Sequence, residues 1–153
     1  MTQIAVAGRD NRRAIVRAVS TEVLKSLTAL AQAGGGDTIS LLVFTGIWTA
    51  NTQHLIGTGR YTALEDIPPD SQRRPILEAD LERAIGIPQP ILGDYVTRLI
   101  AGGIVERLPA GLVVPSAIFT TPQQVDGTNE FYARIMSIVR ALRDAGFSFG
   151  DQA

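Results

Sequence analysis

Three carboxylates, Glu78, Asp80 and Glu82, fall within five residues of one another, and such a group could serve general acid–base chemistry or a divalent cation. That chemistry needs carboxyls converging on one point, whereas residues two apart on a helix face different ways. The three therefore read as a solvated surface. His54 is the only histidine and cysteine is absent, so the nitrogen and sulfur ligands of an ordinary zinc site are missing. It reads as a helix-end residue, whose positive form suits a helix C-terminus. Two glycine-rich pieces raise the question of phosphate binding. "AGGGDT" has no P-loop lysine, and Asp37 would repel a phosphate at the helix start that follows. "GTGR" lacks the strand–turn–helix setting. No nucleophile, base and orienting group fall together, so neither catalysis nor a metal or cofactor is expected.

What could position other chemistry is set by length and pattern. The 153 residues, 45% hydrophobic and 19% charged, suit one ordinary core, or a small domain with an oligomerisation appendage. The formal charge of −1 excludes a strongly basic nucleic-acid coat. "MTQIAVAGRDNRR" carries no long apolar segment preceded by charge, which argues against a signal peptide. The most apolar run, Ile39 to Trp48, is about half the roughly 20 residues a membrane span requires. The expectation is a cytoplasmic protein with no membrane partner.

Asp10 is a candidate N-cap for a long helix through Ala33, with Val16, Val19, Val23, Leu27 and Leu30 as its apolar stripe. Gly34, Gly35 and Gly36 stop it, and Asp37 can cap a second helix over 38–55. That helix is apolar over much of its circumference, from Ile39 to Trp48, and a second subunit is the simplest source of cover. A connector over 56–75 follows, in which Thr62 and Glu65 match a capping box around a short helical turn. Helices are expected over 77–85 and 89–101, then strands over 104–108 and 112–115. After "SAIFTTPQQVDG", Thr128 or Asn129 can cap a last helix ending near Ala145, with Phe131, Ile135, Ile138, Val139 and Leu142 on one face and Gly146 as terminator.

The central order is the informative part. Leu81 and Ile85 lie one turn apart, Gly86 permits a sharp reversal, and proline in the first turn of the next helix costs little. Leu92, Tyr95, Val96 and Leu99 would pack that helix on the first; Gly103 ends it, and "IVERL", "PAG" and "LVVP" form a hairpin. The stretch "ADLERAIGIPQPILGDYVTRLIAGGIVERL" with this hairpin resembles the winged helix-turn-helix domains of bacterial transcription regulators of the MarR and IclR kind. The resemblance covers roughly Arg73 to Pro115 and rests on Leu81, Ala84, Gly86, Leu92, Val96, Leu99, Gly103, Ile104 and Val105.

It implies a mainly α fold with a small β wing: a winged helix-turn-helix flanked by long dimerisation helices. The divisions would be a helical dimerisation region over 1–57, a connector over 58–72, the winged domain over 73–116, and a connector with the C-terminal dimerisation helix over 117–153. It also implies a recognition helix over 89–98, a wing over 107–111, double-stranded DNA as partner and a homodimer on a near-palindromic site. The exposed recognition positions would be Gln89, Pro90, Gly93, Asp94, Thr97 and Arg98. Gln89 can pair with adenine, Asp94 can accept from cytosine and Arg98 can contact a base edge, although Arg98 also stands four residues from its ordinary helix partner, Asp94. Arg73, Arg74 and Arg107, with Arg12 and Arg13, are the available phosphate partners.

This helix departs from the family pattern, which places Ser, Thr and Arg across that face. Between Arg73 and Arg107 five arginines are balanced by five carboxylates, so phosphate attraction is weak and a shallow salt dependence is expected. The alternative is a winged helix kept as a protein-interaction or dimerisation module with little or no DNA binding. A third reading adds a small-molecule effector, with Trp48, His54, Tyr61, Phe131 and Tyr132 as candidates to line a pocket between the helical layer and the winged domain.

Overall fold

The computed structural model describes residues 10–34 and 37–148. The N-terminal stretch weighed as a signal peptide lies largely outside them, as do Gly35 and Gly36. The architecture is mainly helical with a small antiparallel sheet. Among the described residues no single helix is long and apolar enough to cross a membrane.

Helix α1 spans Arg12–Ala33, starting one residue later than an Asp10 cap would place it. Asp10 still accepts from the Arg12 backbone N–H at 3.1 Å and pairs with the Arg12 guanidinium. Helix α2 spans Thr38–Thr52 and continues as a 3-10 turn to Leu55. Asp37 caps it as expected, accepting from the N–H groups of Ile39 and Ser40 at 2.9 and 3.2 Å.

No helical turn forms at Thr62. A lone capping pair with no apolar run behind it cannot offset the cost of nucleating a helix, and the chain turns by an Asp66 N–H to Ala63 C=O bond instead. A 3-10 turn sits later, over Asp70–Gln72.

Helices α3 (Glu78–Ile85) and α4 (Gln89–Ala101) fall where the sequence places them. Gly86 adopts the left-handed region at φ +70° and closes α3. At the end of α4, Gly103 at φ +73° bonds back to Ile100, and the N–H groups of Ile104 and Val105 both reach Leu99. Those two residues belong to the helix stop rather than to a strand, so β1 covers only Glu106–Leu108, opposite β2 at Gly111–Val113. Gly111 is required at the turn: a Cβ there would stand 2.5 Å from the Ile76 carbonyl oxygen. Ile76 in turn pairs with Leu112 through both backbone bonds, which puts β2 between β1 and Ile76.

Helix α5 spans Pro122–Asp144, seven or eight residues longer at its start than a cap at Thr128 or Asn129 would make it. Thr121 caps it by accepting from Gln124, and Pro122 occupies the first position, where a missing N–H is harmless. It runs antiparallel to α1, and Asn11 donates to the Ala145 and Gly146 carbonyls at its far end.

The core gathers Val43 and Ile47 of α2, Leu81 of α3, Leu92, Val96 and Leu99 of α4, then Val105, Leu112 and Val114. Burial of side chains of this size contributes about 1.5–3 kcal/mol each. Helix α2 is therefore the central helix, packed on by α1, α3, α4 and β2 of its own chain, with Leu42 left exposed. The incompletely covered stripes are those of α1 and α5, where Val16, Val23, Phe131 and Ile135 remain exposed.

Candidate nucleic-acid interface

Helix α4 presents two unlike faces. Leu92, Val96 and Leu99 are buried against α2 and α3, while Gln89, Pro90, Asp94, Thr97 and Arg98 are exposed and Gly93 is half-buried. The Thr97 hydroxyl donates to the Gly93 carbonyl at 2.9 Å. Asp94 and Arg98 do not pair. The Arg98 guanidinium lies over the Tyr95 ring instead, 4.9 Å from its centroid. Asp37 is held below the usual carboxylate range, chiefly by the Ser40 N–H, against partial desolvation and with help from Tyr95.

The hairpin stands beside the N-terminus of α4. Arg107 of β1 donates to Glu78 Oε1 at 2.8 Å, and Gln89 Nε2 donates to Glu78 Oε2 at 3.1 Å. Two expected DNA contacts thus meet on one carboxylate that the sequence suggested was merely solvated. The Arg107 bond lowers the Glu78 pKa most, partial burial opposes it, and Gln89 adds to the lowering. Asp80 pairs with Arg83 on the same short helix, so the three acids do not converge.

Arg73 is corrected most clearly. Only 6% exposed, it lies over the Phe119 ring at 4.8 Å and donates to the Pro68 carbonyl at 3.1 Å. Burial pushes its pKa down, with Asp70 opposing. A phosphate cannot reach it there. Phe119, 46 residues further along the chain, lies against a residue that local composition reads as a connector. Arg74 remains exposed, its backbone N–H bonded to the Asn51 carbonyl.

The proposed aromatic pocket does not assemble. Trp48 packs on Phe119 with centroids 6.0 Å apart, Tyr61 stacks under Arg60, and Tyr132 is exposed on α5. His54 is half-buried with Nδ1 unpartnered. A cavity of about 210 Å³ opens elsewhere, among Val23, Ser26 and Leu27 of α1, Leu41 and Leu42 of α2, and Phe131 and Ile135 of α5. Of the expected pocket residues it includes Phe131 alone. No group of three or more His, Asp and Glu side chains that could hold a metal occurs among the described residues.

Glu78 and Tyr95 are the residues of this candidate surface that sequence reasoning did not assign to it. In the sequence Glu78 stands out only as one of three clustered acids; its partners, 11 and 29 residues away, leave no local signal. No protein-family model, curated protein or solved structure matches this chain.

Proposed function

We propose that the chain is a dimeric winged-helix protein that binds duplex DNA at a near-palindromic site and regulates transcription. The observation that carries this reading is the uncovered face of α4, flanked by a hairpin whose tip is Pro109–Ala110. Helix, glycine turn, second helix and two-stranded wing follow in the order such readers use. The single bridge of Ile76 to Leu112 lies on the side of β2 where a third strand of such a domain would pair. Gln89, Asp94, Thr97 and Arg98 offer hydrogen-bonding groups to base edges, and Arg74 is an exposed phosphate partner. Two copies would place their α4 helices in major grooves about 34 Å apart. The apolar residues left exposed on α1 and α5 suit the joining of those copies.

Selection of bound duplexes from the source organism's fragmented genome, at about 50 and 200 mM salt, tests the reading, since phosphate contacts lose most affinity over that range. One near-palindromic motif enriched at both salts, and weakened with relaxed base choice by Arg98→Ala, is the expected result. No enrichment from a folded dimer would overturn it.

A second reading, a protein-interaction module, is favoured by one feature. Leu77, Ile91 and Leu108 are exposed apolar residues next in sequence, or nearly so, to the Glu78, Gln89 and Arg107 network. A peptide with apolar anchors would use them, and a chain that selects no duplex should be tested for such a partner.

A further inference from the structure

Glu78 begins α3, Gln89 begins α4 and Arg107 lies in β1, so one carboxylate connects three elements. Its oxygens are divided between its partners, Oε1 to Arg107 and Oε2 to Gln89. The Glu78 side chain is 22% exposed and that of Arg107 54%, so the pair sits at the rim, within reach of a macromolecule.

The division has two chemical consequences. A carboxamide can be turned end for end at little cost on its own, but turning Gln89 would set its oxygen against a carboxylate oxygen. Glu78 therefore fixes which edge faces outward. With one N–H bonded to Glu78, Gln89 keeps a second N–H and its Oε1, the donor and acceptor pair that meets an adenine edge. That Oε1 lies along α4, 3.5 Å from where a Cβ on Gly93 would stand, so the side-chain-free position leaves it open. The second consequence concerns charge. Arg107 is the cation of the wing, and the bonded carboxylate neutralises it and occupies one of its nitrogens, which lowers its attraction for any phosphate regardless of sequence.

Resting on the DNA-binding reading above, we propose that Glu78 is a specificity-determining positioning residue, which aligns the Gln89 carboxamide for a base edge and withholds the Arg107 charge from nonspecific backbone contact. Selectivity in this interface then comes partly from an acid that touches no DNA. It accounts for a wing arginine that stands beside a carboxylate rather than free.

The test compares the full-length chain with Glu78→Gln, Gln89→Ala and Arg107→Gln. The probes are the duplex selected from the genome and a scrambled duplex of equal length, titrated from about 50 to 200 mM salt. Glu78→Gln is expected to bind the scrambled duplex more tightly. Its log–log salt slope should steepen by about one, the mark of one added phosphate contact. Its preference for the selected duplex should fall about tenfold, the scale of one base contact. Gln89→Ala should lose the same preference without the steeper slope, and Glu78→Gln placed on Arg107→Gln should no longer steepen it. A merely structural Glu78 would shift thermal stability and leave slope and preference alone. If the wild type binds its site and folded Glu78→Gln matches it in both, the assignment to Glu78 fails and the DNA reading stands. If the wild type selects no duplex, both fail together.

Discussion

Asn51 and Val114 are joined across 63 residues by a buried hydrogen bond, the Val114 backbone N–H donating to Asn51 Oδ1 at 2.9 Å. Asn51 Nδ2 donates to the carbonyls of Arg74 at 2.8 Å and Leu112 at 3.1 Å. The side chain has no exposed surface, yet each polar atom is satisfied. One carboxamide on the last turn of α2 thus holds the extended segment before α3 and the strand β2. The hairpin and the segment leading into α3 are tied to α2 through it.

Asn51→Ala should accordingly be among the costliest substitutions in the chain. It leaves the Val114 N–H buried without an acceptor and opens a void, together worth about 2–4 kcal/mol. Thermal unfolding should shift down by roughly 5–15 °C for a chain of this size. A change under about 2 °C would mean that the sheet is anchored by the Ile76 pairing instead.

How much of this was legible in the sequence depends on range. Helices α3 and α4 and the stops at Gly86 and Gly103 follow from spacing and glycine conformation within a few residues, and the sequence places them correctly. The start of α5 was obscured because Pro122 and Gly127 read locally as connector, although proline at the first helical position is compatible with a helix. The burial of Arg73, the three bonds of Asn51 and the link from Glu78 to Arg107 all join residues far apart in sequence. Periodicity contains no record of such pairs. The candidate interface was legible as a face of α4, but its internal hydrogen bonding was not.

Gly46 and Gly93 are both mid-helix glycines, and alanine should act on them in opposite directions. A Cβ at Gly46 would stand 2.8 Å from Ile85 Cγ2 and 3.0 Å from Leu81 Cδ1, where α2 and α3 meet. Crowding there costs about 1–3 kcal/mol and outweighs the gain in helix propensity of about 1 kcal/mol. At Gly93 the only close atom is Gln89 Oε1, so Gly93→Ala should raise stability by about 0.5–1 kcal/mol. The fold does not require that glycine, and close approach of duplex to α4 would. Gly93→Ala should therefore melt higher and bind the selected duplex more weakly. Equal or tighter binding would remove Gly93 from the interface.

Arg73→Met separates a buried cation from an interface cation. The guanidinium has one hydrogen-bond acceptor, at Pro68, while Asp70 is 3.9 Å away and Nε and Nη1 are unpartnered. Replacing such a group by an apolar side chain of similar length is often neutral or stabilising. Unfolding temperature should hold or rise, and affinity for duplex should not change. Arg73→Ala, which removes packing against Phe119 as well, should lower stability. Lost affinity in Arg73→Met at unchanged melting temperature would return this residue to the phosphate contacts.

Dimerisation should depend on α5 more than on the core. Ile135 is 44% exposed and borders the cavity between α1, α2 and α5, and Val16 and Leu24 of α1 and Tyr132 and Met136 of α5 are exposed apolar residues as well. A carboxylate at the centre of such a face must be desolvated without a partner if two copies meet there, whereas in a monomer it simply enters water. Ile135→Glu should therefore leave helicity intact and shift sedimentation from dimer to monomer. Binding to a two-half-site duplex should then fall to the level of a single half-site, because linkage between the two reading helices is lost. If Ile135→Glu remains dimeric with wild-type affinity, the copies join through another face, and the cavity is left open to solvent in the assembled protein.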